Sequence, residues 1–272
     1  MKWIRRLLVY VVVAYLAVLG FIYFTQRNFI YFPINEAAPA GFEKFYNVDA
    51  VDINVDGIGD IKSYFRAPPE NRPLIIVFHG NASENYQLTN EIESFHTWNT
   101  GFLMASYPGY GRNPGKPAEG TFLASAEAHY HWAVSQGIDP KNIVLYGHSL
   151  GAASAVHLAS ENDIGLLVLS APFLSARAMA RRQMPVFPTN LLLKDQFRSD
   201  QKMKSVSAPL IVFHGRKDRT IPHRMGEALA ALHAGETKFI SIENGNHNNL
   251  WGTGMPDQLR GAIAGFMSSP TP

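Results

Sequence analysis

Five short, nearly unbroken apolar runs constrain this chain most: LIIVF (74–78), FLMAS (102–106), IVLY (143–146), LLVL (166–169) and LIVF (210–213). A strand with one wet face alternates apolar and polar residues, whereas a strand covered on both faces does not. The runs therefore predict the inner strands of a sheet held between helices. Stretches of helical character separate them, over 84–98, 119–136, 150–160 and 223–233. A last strand (238–242) and a last helix (257–267) follow. Such alternation implies right-handed crossovers and a mainly parallel sheet. Upstream, 46–55 and 58–65 alternate around a Gly-containing turn, the pattern of an antiparallel hairpin at a sheet edge.

Ligands of open parallel sheets bind beyond the carboxyl ends of the strands. In this chain the polar and glycine-rich segments gather there: HGNAS from His79, YPGYGRNPG from Tyr107, GHSLG from Gly147, HGRKDRTIP from His214 and ENGNHNNLW from Glu243. Ser149 thus falls at a strand-to-helix corner. A turn that sharp strains the serine backbone and brings its neighbours against the adjoining strand and helix, which Gly147 and Gly151 relieve. The Ser149 hydroxyl then projects at a helix N-terminus, where unpaired N–H groups favour negative charge. Leu150 N–H is one expected oxyanion donor. The second is expected from the loop after the first parallel strand, at Asn81, with Ala82 the neighbouring alternative.

A serine needs a base to become a nucleophile. Of the ten histidines, His247 follows the last strand in a loop with Gly245 and four asparagines. His129, His131 and His157 fall within helical stretches, and His148 lies beside the serine. His247 is therefore the expected base. Asp218, directly after a core strand, is the expected acid partner, with Asp195 and Asp200 as rivals.

The order Ser149, Asp218, His247 is that of the α/β-hydrolase template. The segments HGN (79–81), YPGYG (107–111), GHSLG (147–151), HGRKDRTIP (214–222) and GNHN (245–248) resemble those of single-pass α/β-hydrolases of the lysophospholipase-like and palmitoyl-protein-thioesterase-like kind. Ala152 stands where such proteins often carry another glycine. The resemblance covers 46–267. It implies an α/β-hydrolase fold and a serine hydrolase with no cofactor or metal, acting on a small-molecule or lipid acyl substrate. An amidase or peptidase would use the same three residues, and a non-catalytic binding protein could occupy the same fold.

The N-terminus, MKWIRRLLVYVVVAYLAVLGFIYFTQRNFIYFP, has no charge from Leu7 to Phe24. Eighteen helical residues span about 27 Å, enough for a bilayer core. Trp3, Tyr23 and Tyr31 sit near its ends, as an interfacial belt would. No A-x-A-like cleavage site follows, so an uncleaved anchor is expected over 1–28, a linker over 29–45 and the hydrolase domain over 46–272. Lys2, Arg5 and Arg6 precede the span, which predicts a cytoplasmic N-terminus and a catalytic domain across the membrane. Those three and Arg27 also account for the net charge of +2; the remaining 20 cations face 22 acids with no basic stripe, which argues against nucleic acid as a partner. The chain has no cysteine, so disulfides and thiolate metal sites are excluded.

The interval 173–208 has no core strand and carries SARAMARRQMPVFPTNLLL. It is expected to be a small helical lid. Asn81-Ala82-Ser83, an N-glycosylation sequon, coincides with the proposed oxyanion loop. A glycan would block it, which points to a compartment without such glycosylation, most simply a bacterial inner membrane.

Overall fold

The computed structural model describes residues 2–268. Helix α1 (Lys2–Ile30) is followed by α2 (Phe42–Tyr46) and the hairpin β1 (Asp49–Val55) and β2 (Gly59–Arg66). Then come β3 (Leu74–Phe78), α3 (Thr89–Thr97), β4 (Gly101–Ala105), α4 (Glu119–Ser135), β5 (Ile143–His148), α5 (Gly151–Glu161) and β6 (Leu166–Ser170). Three short helices occupy the next interval: α6 (Ala176–Gln183), α7 (Thr189–Leu192) and α8 (Ser199–Lys202). The chain ends with β7 (Leu210–Gly215), α9 (His223–Ala230), β8 (Thr237–Ile242) and α10 (Met255–Ser268).

The sheet runs β1-β2-β4-β3-β5-β6-β7-β8. β1, β2 and β4 pair antiparallel, and every pairing from β4 to β8 is parallel. The unbroken apolar runs follow from the two-residue period of a strand. In β3, Leu74, Ile76 and Phe78 pack among residues of α4, α5 and α9, while Ile75 and Val77 pack among residues of α3 and α10. β5 divides in the same way, Ile143 and Leu145 to one face, Val144 and Tyr146 to the other. With helices on both sides, neither set meets water.

Two expectations need correction. The helix over 84–98 breaks into a 3-10 turn, Asn85–Gln87, and α3. Glu84 and Gln87 cap that turn reciprocally, and Leu88 leaves the helical region. The strand expected from Tyr46 starts at Asp49, because Asn47 adopts a left-handed conformation (φ 48°) that ends α2. Residues 29–45, the expected linker, make defined contacts with the rest of the chain. α1 continues through Ile30, Tyr31 is 4% exposed against the Phe122 ring, and Phe42 packs on Tyr46 and Tyr64.

The 173–208 excursion is helical and is fastened at Asp195, which is 2% exposed. Arg27 Nε and Nη2 donate to its two oxygens at 2.8 and 3.0 Å, and Glu119 N–H donates at 3.2 Å. Asp195 therefore clamps the excursion to the ends of α1 and α4. Asp200 is engaged by Arg198 at 2.7 and 2.9 Å. Neither rival acid is near His247 in the hydrogen-bond network.

Buried Glu84 gives the fold a pH signature. Burial pushes its carboxyl up to about 8, against opposing bonds from Asn85, Ser106 and Gly111. The folded state then keeps a proton that the unfolded chain releases above about 4.5. That contribution to stability is complete at low pH and is lost as pH rises through about 8. Thermal melting between pH 5 and 8.5 should therefore decline less steeply in Glu84→Gln than in the parent. Equal slopes would show that Glu84 is ionised in the fold.

Candidate active site

The corner after β5 is built as its glycines require. Ser149 has φ 52°, in the left-handed region where a side chain is strained. A Cβ on Gly147 would lie 2.7 Å from Ala152 Cα and from Gly151 O. A Cβ on Gly151 would lie 2.1 Å from Phe78 O. The second contact is with backbone at the centre of the sheet, where nothing yields. Gly151→Ala should destabilise the protein by about 3 kcal/mol or more, read from urea unfolding midpoints; an unchanged midpoint would contradict the packing.

Ser149, His247 and Asp218 meet. His247 Nε2 lies 3.0 Å from Ser149 Oγ, and His247 Nδ1 lies 2.8 Å from Asp218 Oδ2. These residues are 98 and 29 positions apart in sequence. Strand ends β5, β7 and β8 carry them to one edge of the sheet. Gly215 allows the close approach of the last two loops, since a Cβ there would fall 2.4 Å from Gly245 O.

The carboxylate is fixed on all sides. Thr220 and Ile221 N–H groups donate to Asp218 Oδ1 at 2.9 and 2.8 Å. Oδ2 faces His247 and also His214 Nε2, at 3.3 Å. Burial by itself would raise its pKa. The bonds from His214 and His247, the charge on His247 and the Ile221 N–H outweigh burial, so Asp218 titrates well below the ordinary carboxylate range. It is therefore the carboxylate, not the neutral acid, that faces His247 at neutral pH. His214, which the sequence reading did not single out, is fully buried, and its Nε2 also reaches Ile221 O at 3.0 Å. Its signal was its place at the very end of a core strand.

His148 lies beside the base, 5.3 Å between ring centroids, with Nδ1 3.2 Å from Ser170 Oγ. Burial first, and then the charge of His247, lower its pKa to about 3. It is a neutral neighbour.

The loop after β3 borders the serine. A Cβ on Gly80 would come 3.5 Å from Ser149 Cβ. The Asn81 side chain is fully occupied: Nδ2 donates to Ile30 O (2.6 Å), and Oδ1 accepts from Phe32 N–H, Ala82 N–H and the Tyr110 hydroxyl. Ala82 N–H is thus committed. Among the described residues no acceptor is assigned to the main-chain N–H of Asn81 or of Leu150. The YPGYG segment (107–111) is more than a turn, because Tyr107 donates to His79 O at 2.8 Å and Tyr110 holds Asn81. His79 is buried, and burial lowers its pKa to about 4. It acts as neutral scaffold, its Nδ1 2.8 Å from Gly80 O. No cluster of three or more potential metal ligands occurs among the described residues.

The comparisons with known proteins agree with this architecture. A family model described as the alpha/beta hydrolase family matches residues 75–205. An uncharacterised protein of Mycobacterium tuberculosis is 33% identical over 268 residues, covering 96% of this chain and 95% of its own. The human alpha/beta hydrolase domain-containing protein 17C is 29% identical over 191 residues, which is 69% of this chain but 56% of that protein. An esterase of Pyrococcus furiosus superposes with a TM-score of 0.69 at 16% identity, covering 86% of this chain and 95% of that one. The esterase Est1E of Butyrivibrio proteoclasticus gives 0.64 at 19% identity, over 80% and 98%. At those identities the structural likeness speaks for the fold alone. Together with the sequence matches and the strand-end architecture, it leads to one statement of kinship: the chain belongs to the alpha/beta hydrolase family.

Proposed function

We propose that this protein is a membrane-anchored serine hydrolase that cleaves acyl esters or thioesters. The observation that carries the reading is the relay of 3.0 and 2.8 Å bonds from Ser149 through His247 to an ionised Asp218. Ser149 Oγ attacks the acyl carbonyl carbon while His247 Nε2 takes its proton. The carbonyl electron pair moves to oxygen, where Leu150 and Asn81 N–H groups receive it. Asp218 holds His247 in the tautomer that leaves Nε2 free and stabilises the imidazolium. As the tetrahedral intermediate collapses, the bond to the alcohol or thiol breaks and His247 protonates the leaving group. Water, deprotonated by His247, then attacks the acyl-enzyme and releases the acid and Ser149.

An acyl lipid is the favoured substrate class. α1 is long and apolar enough to cross a membrane, with mean hydropathy 2.5 over its most apolar window. Its last carbonyl, at Ile30, is bound by Asn81 itself. The span therefore ends on the loop that borders the nucleophile, and a substrate leaving the bilayer arrives there. The basic residues ahead of the span favour a catalytic domain outside the cytoplasm. A glycan on Asn81 Nδ2, the atom that binds Ile30 O, would crowd the junction of α1 with this loop, which favours a compartment without such glycosylation, such as a bacterial inner membrane.

The test is a panel of p-nitrophenyl esters of graded chain length, an acyl thioester and an aminoacyl amide, assayed with full-length protein in detergent. Ester and thioester cleavage rising with chain length is expected. Amide hydrolysis faster than ester hydrolysis would replace this reading with that of an amidase.

A further inference from the structure

The excursion between β6 and β7 does not stay beside the catalytic edge. Its turn over 184–193, MPVFPTNLLL, runs back along α1. The Tyr15 hydroxyl donates to Val186 O at 2.7 Å. Gln26, buried although polar, donates to Leu192 O and accepts from Lys194 N–H. Lys194 Nζ stands 4.2 Å from the centre of the Tyr23 ring. These contacts act as a depth gauge. Lys194 lies level with Tyr23, at the end of the uncharged stretch. Val186 lies level with Tyr15, eight residues further in, or about 12 Å at 1.5 Å per residue.

The surface of the turn suits that depth. Val186 is 76% and Leu191 83% exposed, in a region where the neighbouring face of α1 is itself apolar and uncovered. Its backbone is largely satisfied within the protein, as hydrocarbon requires. Pro185 and Pro188 have no N–H. The amides of Phe187, Thr189, Leu191, Leu192 and Leu193 donate to carbonyls of the same turn, and the carbonyls of Val186 and Leu192 accept from α1. Cations flank the apolar segment, Arg181 and Arg182 before it and Lys194 after it. They would meet anionic headgroups as the segment enters and leaves.

We propose that the 184–193 turn is a second membrane element, a re-entrant wedge inserted beside α1 into the acyl chains of the leaflet facing the catalytic domain. This rests on the reading of α1 as a membrane span. The wedge and the clamp at Asp195 would fix the domain's tilt, so that the loop holding Asn81 faces the lipid surface.

The absence of cysteine makes the test direct. Leu191→Cys, Val12→Cys and Asp52→Cys, each in the full chain, are spin-labelled and reconstituted in phosphatidylcholine–phosphatidylglycerol vesicles. Collision with oxygen, which concentrates in lipid, is compared with collision with a water-soluble nickel chelate. All three sites are exposed in the fold, so the substitutions spare packing. The labels at 191 and 12 should both favour oxygen, while the label at 52 favours nickel. A label at 191 that behaves like the one at 52, with 12 still in lipid, overturns the wedge and leaves the anchor. A label at 12 that favours nickel removes both.

Discussion

Ser149→Ala is expected to lower kcat by roughly 10⁴- to 10⁶-fold, with no loss of stability. Removing Oγ deletes the nucleophile, and nothing adjacent can substitute. His148 is a neutral ring turned to Ser170, and Ser83 and Ser154 lie on other elements. The stability expectation comes from the backbone. Ser149 holds φ 52° to present its hydroxyl, so the strain serves function rather than packing. Alanine keeps that strain, and Ser149→Gly, equally inactive, relieves it. Initial rates and urea midpoints measured on the parent and both variants test the pair of claims. An alanine variant retaining a tenth of the parent rate would show that Ser149 is not the attacking group.

Asp218→Asn should cost up to about 10⁴ in kcat, again in a folded protein. An asparagine Oδ1 can still accept from Thr220 and Ile221 N–H, so the loop keeps its shape. The other end of the amide is then an NH₂ group facing His247 Nδ1. That contact favours the tautomer in which Nδ1 accepts and Nε2 carries the proton. Nε2 can then no longer accept from Ser149. His214, whose Nε2 lies 3.3 Å from the same oxygen, also loses its acceptor there. KM should change far less than kcat, because no substrate contact is removed. A fall in kcat below tenfold would mean that the carboxylate does not set the tautomer of His247.

Much of this was legible because the relevant physics is local. Runs such as LIIVF announce strands buried on both faces, and the residues after them mark the catalytic edge. Gly151 was readable from spacing alone, and the coordinates supply its cause in the carbonyl of Phe78. What escaped was non-local. Nothing near Asp195 in sequence reveals that Arg27, 168 residues away, will neutralise it. Nor does the Pro- and Ala-containing segment after α1 disclose that Tyr31 enters the core beside Phe122. The role of Asn81 was only half readable. Its place in the loop that borders the serine follows from topology, but the use of its side chain to bind the end of α1 does not. The break at Leu88 was hidden because Glu84 and Gln87 have good helix propensity and are used instead as reciprocal caps.

The central claim is that the strained serine is made nucleophilic by the imidazole 3.0 Å away. It is tested most directly by reaction with a fluorophosphonate followed by peptide mass analysis. The expected product is one phosphonyl adduct on Ser149 with loss of fluoride, absent from Ser149→Ala and strongly slowed in His247→Ala. A folded protein that remains unmodified, or that carries the adduct on another residue, would contradict it.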